Sequence, residues 1–349
     1  MKNRKREICT SGSVRDEDGQ PPHLLGRRRK FLHLAAGIAA LPAVSRVAWA
    51  QGYPARPVHI IVGFAAGSSP DTTARLVAQA LSNRLGQQFI VENRPGAGTN
   101  IATEAVVRAP PDGYTLLWVT AVNAINATLY DKPNFNFIRD IEPVTAVVRL
   151  PNTMVVHPSV PAKSVPQFIA YAKANPGRIN MAYSTTGGTD HLAGELFKIM
   201  AKVDMVGVPY RGGGAALFTD LIAGQVQVSF PAMAGSIGYI RGDKLRPLAV
   251  TTASRWEGLP EVPSVSEFVP GYDASSWHGV GLPKTTPAEI IDKLNHGINA
   301  VLADPAAKAR LTELGGIALG GSAADFAKFI ADETEKWAKV IRTANIKPE

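Results

Sequence analysis

Cysteine is almost absent from this sequence of 349 residues, since the single one, Cys9, lies in the basic N-terminal segment. Residues 51–349 contain none, which excludes disulfides, thiolate catalysis and cysteine-based zinc sites from that part of the chain. Long hydrophobic runs are also lacking, because the apolar stretch at residues 34–47 is shorter than the ~20 residues of a membrane-spanning helix. With 45% hydrophobic and 19% charged residues, the composition is that of a globular protein.

The positive charge is unevenly distributed along the chain. The formal net charge is +8, of which residues 1–50 carry +6, from ten Lys/Arg against four Asp/Glu. Residues 51–349 carry 27 against 25, a net of +2. A nearly neutral body has no basic surface of the kind that binds nucleic acid, so we expect no nucleic-acid partner.

The N-terminal segment has the organisation of an export signal. Arg-Arg-Lys-Phe-Leu at residues 28–32 precedes the apolar stretch 34–47 and then Ala-Trp-Ala at residues 48–50. A basic region, a short apolar region and a small-x-small site form a secretory signal peptide. The arginine pair resembles the twin-arginine signature, with a Sec signal or an uncleaved anchor as alternatives. We expect residues 1–50 to be removed after Ala50 and the remainder to be periplasmic, without a lipid anchor.

Short β-branched segments alternate with amphipathic helical patterns from residue 58 onward. The predicted strands are 58–64, 89–92, 114–119, 144–150, 154–157, 179–183, 205–209, 227–230, 246–251 and 277–282. The predicted helices are 72–85, 100–108, 165–174, 191–201, 214–223, 287–302, 305–314 and 323–344. Alternation with short connections predicts an α/β fold with largely parallel sheets.

Two irregular stretches, at residues 140–158 and 254–283, interrupt this alternation. A chain that leaves one lobe and later returns to it needs two such crossings. We therefore predict one lobe from residues 54–148 plus 276–349 and a second from residues 149–275. The cleft between two lobes is a favoured ligand position, and the crossings near 148–151 and 275–278 would act as a hinge.

Three loops of small and hydroxyl-bearing residues are each predicted to join a strand to a helix. The first loop, residues 64–72, supplies the candidate ligand contacts Ala65, Ala66, Gly67, Ser68, Ser69, Asp71 and Thr72. The second loop, residues 184–191, supplies Ser184, Thr185, Thr186, Gly187, Thr189 and His191. The third loop, residues 210–214, supplies Tyr210, Gly212 and Gly213.

A helix start offers free amide N–H groups and the positive end of the helix dipole, and small residues let an anion approach the backbone. If the three loops converge on the cleft, they form an anion site that needs no charged side chain. The first loop would equally suit a capped helix that binds nothing. Arg211 either pairs with a second ligand carboxylate or faces solvent.

Other chemistries are poorly supported. The Gly-Ala-Gly of residues 96–98 lacks the third glycine of a dinucleotide-binding motif, and the histidines show no metal-ligand spacing, so we expect no cofactor and no metal. Ser236, within Ala-Gly-Ser-Ile-Gly, resembles a hydrolase nucleophile elbow, with His278 and Asp273 downstream. Residues 231–233 already separate this pentapeptide from the preceding strand, where the elbow requires a tight turn. A serine hydrolase is kept as the enzymatic alternative.

A set of motifs in a fixed order resembles one family along nearly the whole chain after residue 51. The motifs are Tyr53-Pro54-x-Arg56-Pro57, residues 64–75, Glu-Asn-Arg-Pro-Gly-Ala-Gly at 92–98, Pro-Asp-Gly-Tyr-Thr-Leu at 111–116, His-Leu-Ala-Gly-Glu-Leu-Phe at 191–197, Val-Pro-Tyr-Arg-Gly at 208–212, residues 220–226 and residues 277–287. Together they resemble the solute receptors of tripartite tricarboxylate transporters, the Bug-type periplasmic binding proteins.

The resemblance implies a two-lobed α/β periplasmic-binding-protein fold of type II, with the ligand cleft between the lobes. It implies a non-enzymatic, monomeric receptor that passes a small carboxylate to inner-membrane transporter subunits, or alternatively presents it to a membrane sensor. It also implies that residues 65–72 and 184–189 grip a carboxylate through backbone, hydroxyl and water contacts, with residues 210–213 completing the wall. Ser68 and Pro231 depart from the family's commoner residues, so the ligand of a relative cannot be carried over.

Overall fold

The structure is a computed structural model, and it describes residues 52–130, 134–210 and 214–348. The predicted signal peptide and its cleavage site lie outside these residues, as do Arg211, Gly212 and Gly213. Among the described residues, no helix combines the length and the apolar character needed to cross a membrane.

Eleven strands and eleven α-helices alternate along the described chain. The strands are β1 (Val58–Val62), β2 (Phe89–Asn93), β3 (Thr115–Thr120), β4 (Ile141–Pro151), β5 (Thr153–Val156), β6 (Asn180–Tyr183), β7 (Val206–Pro209), β8 (Val228–Ser229), β9 (Arg246–Val250), β10 (Ser275–Pro283) and β11 (Ile317–Ala318). The helices are α1 (Ser69–Leu85), α2 (Asn100–Val107), α3 (Ala121–Leu129), α4 (Phe137–Asp140), α5 (Val165–Ala174), α6 (Thr189–Ala201), α7 (Gly214–Ile222), α8 (Met233–Arg241), α9 (Ala288–Ala303), α10 (Pro305–Glu313) and α11 (Ala323–Thr343).

The strands form two sheets, each the centre of one lobe. The first lobe contains six strands in the order β11-β4-β10-β3-β1-β2, and the second contains five in the order β7-β6-β8-β5-β9. The prediction of largely parallel sheets is wrong, because both sheets are mixed. Only β1 with β2 and β3, and β6 with β7 and β8, pair in parallel. The strands β4 and β10 run in opposite directions between the lobes, so they must pair antiparallel.

The first sheet is buried on both faces, which explains the nearly continuous hydrophobic sequence of β1. Side chains alternate along a strand, so Ile60 and Ile61 point to opposite faces. Ile60 lies in a core with residues of α1 and α9, whereas Ile61 lies in a core with residues of α2 and α11. The sheet is thus held between two layers of helices. The carboxyl ends of β1 and β3 lie at the edge of the sheet that faces the loops of the second lobe.

The two crossings between the lobes lie side by side. Pro151 at the end of β4 pairs with Ser275 at the start of β10, and Asn152 alone separates β4 from β5. The Asn152 and Thr251 backbones are joined by a 2.9 Å hydrogen bond, and Ala274 N–H donates to the Thr251 carbonyl at 2.9 Å. The predicted hinge segments are therefore neighbours in space.

Two helices of the first lobe also pack into the core of the second. Leu129 of α3 and Trp337 of α11 share a hydrophobic core with Phe197 of α6. Glu333 links α11 to β10, because its Oε2 accepts hydrogen bonds from the indole N–H groups of Trp277 in β10 and Trp337 in α11, both at 2.9 Å. The last turns of α11 thus contact both lobes, although the sequence predicts residues 276–349 as part of the first.

Candidate ligand-binding site

A cavity of about 580 Å³ lies between the two sheets and is lined by both lobes. Gly63 and Phe64 follow β1, Thr120 ends β3, and Ser184 follows β6, so the cavity lies at the carboxyl ends of strands from both lobes. That edge is where ligands bind in open α/β sheets. The crossing segments also line it, through Leu150, Pro151, Ser276 and His278.

The first loop reaches the cavity through only part of its length. Ala65 and Ser69 are on the wall, whereas the polar groups of the other candidates mostly bond to one another. The Ser68 hydroxyl donates to the Ala65 carbonyl at 2.6 Å, and the Thr72 hydroxyl donates to the Ser68 carbonyl at 3.0 Å. Ala66, Gly67, Ser68, Asp71 and Thr72 are not among the wall residues.

Asp71 holds the first loop in shape. Its carboxylate is buried and accepts hydrogen bonds from Gly67 N–H at 2.8 Å, Arg75 Nε at 3.0 Å and Asn93 Nδ2 at 2.8 Å. Burial alone would raise the pKa of Asp71, but the hydrogen bonds from Arg75, Gly67 and Asn93 outweigh it and hold that pKa below its ordinary value. Asp71 is therefore ionised and fully engaged within its own lobe.

The second loop contributes the largest group of predicted residues to the wall. Ser184, Thr185, Thr186, Gly187 and Thr189 all line the cavity. Gly187 has φ +75°, and a Cβ there would collide with the side chain of Leu129 on α3, so only glycine lets the loop approach that helix.

His191 and Asp190 support the second loop from behind. The His191 ring stacks on Tyr183 with 3.9 Å between centroids, and its Nδ1 accepts a hydrogen bond from Gly187 N–H at 3.1 Å. Asp190 accepts from Ser184 N–H at 2.6 Å and from His191 N–H at 2.9 Å. Burial raises the pKa of Asp190 against the opposing effect of these hydrogen bonds. His191 is not on the wall, whereas Asp190, which was not predicted, lies at its edge.

Little of the third loop can be placed at the cavity. The Tyr210 hydroxyl donates to Asp220 at 2.7 Å, and burial together with that carboxylate raises the pKa of Tyr210 to about 12. Tyr210 is not a wall residue, and Gly212 and Gly213 lie outside the described residues. The following helix, α7, instead presents Leu217 and Phe218 to the cavity.

Three further helix starts lie at the cavity: the sequence predicted α2 but did not assign it to the site, and it did not predict α3 or α8. Thr99 precedes α2, Thr120 caps α3, and Met233 begins α8, and all three are wall residues. With Ser69 of α1 and Thr189 of α6, five helix N-termini meet at one cavity. The signal that was available for α3 is the spacing of Thr120 and Asn123, whose side chains form a capping box.

The start of α2 is built from an arch of unusual backbone, residues 96–99. Gly96, Ala97, Gly98 and Thr99 all have positive φ, of 130°, 45°, 58° and 78°. This conformation is costly for a β-branched residue such as threonine and persists where its surroundings impose it. On α3, Asn126 donates to the Gly98 carbonyl, and the neighbouring Asn123 donates to Thr99 Oγ1 at 3.2 Å.

No cationic side chain occurs among the wall residues that the structure describes. His278 is on the wall, but burial lowers its pKa to about 3, so the imidazole is neutral at physiological pH. Its Nδ1 lies 2.9 Å from Thr73 Oγ1. An anion in the cavity would therefore be stabilised by helix dipoles, each equivalent to roughly half an elementary charge, and not by a cationic side chain.

The described residues contain no arrangement of side chains suited to hydrolysis or to binding a metal ion. Ser236 is fully buried, and its hydroxyl donates to the Met233 carbonyl at 3.2 Å within α8. Asp273 pairs with Arg149 at 3.4 Å, while His278 faces Thr73. Within the same ranges, no three His, Cys, Asp or Glu side chains are grouped to hold a metal ion.

Two α/β lobes with a cavity of hydroxyl groups and helix starts between them define a solute-binding protein of the periplasmic class. The chain belongs to the tripartite tricarboxylate transporter family receptors, whose family model matches residues 73–346. Protein BugT of Bordetella pertussis is 36% identical over 315 residues, which cover 89% of this chain and 94% of BugT.

Solved structures give the same result. A protein of R. palustris solved with adipate is 37% identical, with a TM-score of 0.75 over 85% of this chain and 100% of its own. MatC from Rhodopseudomonas palustris, solved with malate, is 28% identical, with a TM-score of 0.70 over 83% and 100%. The resemblance and the two-lobed fold predicted from the sequence are confirmed. These relatives are binding proteins and not enzymes, so the hydrolase alternative is wrong.

Proposed function

We propose that this chain is an exported receptor that captures a small organic carboxylate between its lobes and delivers it to a tripartite tricarboxylate-type transporter in the inner membrane. The observation that carries the proposal is the meeting of five helix N-termini at a cavity whose described wall has no Lys or Arg. Helix starts bind carboxylates without a counter-charge. Receptors of this family are periplasmic, in agreement with the predicted signal peptide and its cleavage after Ala50.

The carboxylate is assigned to the second loop and to the facing part of the first. Thr185, Thr186 and Thr189 present hydroxyl groups beside the start of α6, and Ser69 presents one at the start of α1. Hydrogen bonds to an ionised acceptor are stronger than those between neutral groups. A ligand gripped from both lobes would favour the closed arrangement, because only that arrangement makes both sets of contacts.

The proposal is tested on the chain beginning at Gln51, purified by unfolding and refolding so that bound ligand is removed. Calorimetric titration with a panel of mono-, di- and tricarboxylates should show saturable one-to-one binding for some members. The same ligands should raise the unfolding temperature as their concentration increases, because they bind only the folded state. A refolded protein with native secondary structure that binds no member of the panel would contradict the proposal.

Delivery requires a separate measurement. Cells that carry the cognate transporter but lack this chain should fail to take up the ligand identified by titration, and restoring the chain should restore uptake. Uptake that is unaffected by deletion would remove the delivery step while leaving the binding activity intact.

A further inference from the structure

Apolar side chains from both lobes form much of the cavity wall. Phe64, Leu129 and Leu150 contribute from the first lobe, and Leu217, Phe218 and Met233 contribute from the second. A polar substituent on the ligand gives up its hydrogen bonds to water on binding, and apolar side chains cannot replace them. Burying such a group without a partner is costly in free energy. The cavity wall thus combines helix starts and hydroxyl groups with an extensive apolar surface.

The described wall also offers no carboxylate that is available to pair with a positive charge. Its one carboxylate, on Asp190, accepts the backbone N–H groups of Ser184 and His191 and is directed into its own loop. Nδ1 of the neutral His278 is bonded to Thr73. Five helix N-termini add positive potential, which opposes a cation and favours an anion.

We propose that the ligand is a carboxylate whose body is unsubstituted hydrocarbon, and that the cavity rejects the α-amino acid of the same carbon skeleton. This inference rests on the proposed function and specifies its substrate class. The carboxylate lies at the helix starts and the hydrocarbon contacts the apolar side chains of the wall. An α-ammonium group, carried on the carbon next to the carboxylate, would lie beside the helix starts without a protein carboxylate to pair with and against the dipoles of those helices.

Matched ligand pairs test the inference directly. Hexanoate and 2-aminohexanoate share one skeleton, as do adipate and 2-aminoadipate, and each pair differs by a single ammonium group. We expect the amino-free member of at least one pair to bind about 100-fold or more tightly than its partner, as for a buried polar group left unpaired. If the amino acids bind as tightly or more tightly, the inference fails and the proposed function stands. If neither member of either pair binds the refolded protein, while another carboxylate of the panel does, the inference alone fails. If no carboxylate binds at all, both fail.

A pair of variants tests whether the missing negative charge on the cavity wall causes the preference for the amino-free ligand. Ala234 is an exposed wall residue in the first turn of α8, where an acidic residue is compatible with the helix dipole. Ala234→Asp should reduce the preference for the amino-free member by about 10-fold or more, because it supplies a counter-charge for ammonium and repels carboxylate. Asparagine has the size of aspartate but no charge, so the control Ala234→Asn should retain the preference. A preference that is unchanged in correctly folded Ala234→Asp would overturn the inference.

Discussion

At the scale of single residues, the hydroxyl-bearing residues of the first and second loops have two different roles. Some line the cavity, and others form hydrogen bonds to the backbone of their own segment. Thr189 lines the cavity, whereas Thr72 donates to the Ser68 carbonyl in its own helix. Both were predicted as ligand contacts from the sequence, because residue type and spacing are the same for a wall residue and for one turned away. Only the direction of the side chain, which depends on packing, distinguishes them.

Replacing Thr189 with Val should weaken ligand binding by about 5- to 30-fold, the loss of one hydrogen bond of about 1–2 kcal/mol. The replacement keeps the side-chain shape and removes the hydroxyl. Thr72→Val is the matched control and should change affinity less than twofold. Calorimetric titration of both variants with the same carboxylate makes the comparison, and equal losses in the two would refute this assignment.

Asp71 should stabilise the fold without contacting the ligand. Asp71→Asn is expected to lower the free energy of unfolding by about 1–3 kcal/mol at pH 7, because the charge-assisted hydrogen bonds to Arg75 and Asn93 are weakened. The pKa of Asp71 is lowered in the folded state, so its stabilisation is present above the ordinary pKa and is lost as the pH falls through the folded one.

Urea denaturation of both proteins at pH 7 and near pH 3 provides the measurement. The difference between wild type and variant should shrink on acidification. A difference that stays constant over this range would show that the Asp71 charge contributes nothing.

At the scale of elements, the helices with clear start signals could be predicted, and those that begin directly at a strand end could not. The prediction for α5 is confirmed at both ends, because Ser164 caps it and a Pro follows within its first turn. The helices α3 and α8 could not be predicted from the sequence. Ala121 follows β3 without any loop, and Gly235 and Gly238 lower the helix propensity of α8, so tertiary packing decides both.

The arch of residues 96–99 is held by Asn126 of α3, itself a wall residue, so removing this support should disturb the site. Asn126→Ala leaves the Gly98 carbonyl without its side-chain donor. We expect the free energy of unfolding to fall by about 1–3 kcal/mol and ligand affinity to fall with it. Asn83→Ala, in an exposed helix position, is the control and should affect neither. Urea unfolding and titration measure the two effects, and an unchanged affinity in Asn126→Ala would show that the arch plays no part in binding.

At the scale of the whole molecule, the two lobes approach each other along the cavity wall as well as at the crossings. Gly315 of the first lobe faces Ala234 of the second, and a Cβ at Gly315 would lie 3.8 Å from that of Ala234. This separation is within the range of about 3.5–4.5 Å that a disulfide requires. The sequence suggested two lobes from its interrupted alternation, but it gave no indication that α3 and α11 pack against both.

A disulfide between these positions should close the receptor reversibly. The double variant Gly315→Cys with Ala234→Cys, in the chain beginning at Gln51 and therefore free of other cysteines, should slow ligand association and release by about 10-fold or more when oxidised. Reduction should restore both rates, and each single variant serves as a control. Unchanged rates in fully oxidised protein would show that ligand exchange does not require the lobes to separate at this point.

Carboxylate binding between the lobes is tested most directly by a crystal structure of the chain from Gln51 onward, purified without removing whatever it has bound. We expect electron density for a small carboxylate in the cavity between the two sheets. Its carboxylate oxygens should lie within about 3 Å of donors in the second loop, and its hydrocarbon should lie against Phe218 and Leu129. A ligand bound outside this cavity, or one inside it without a carboxylate, would show that the protein is not a receptor of the proposed kind.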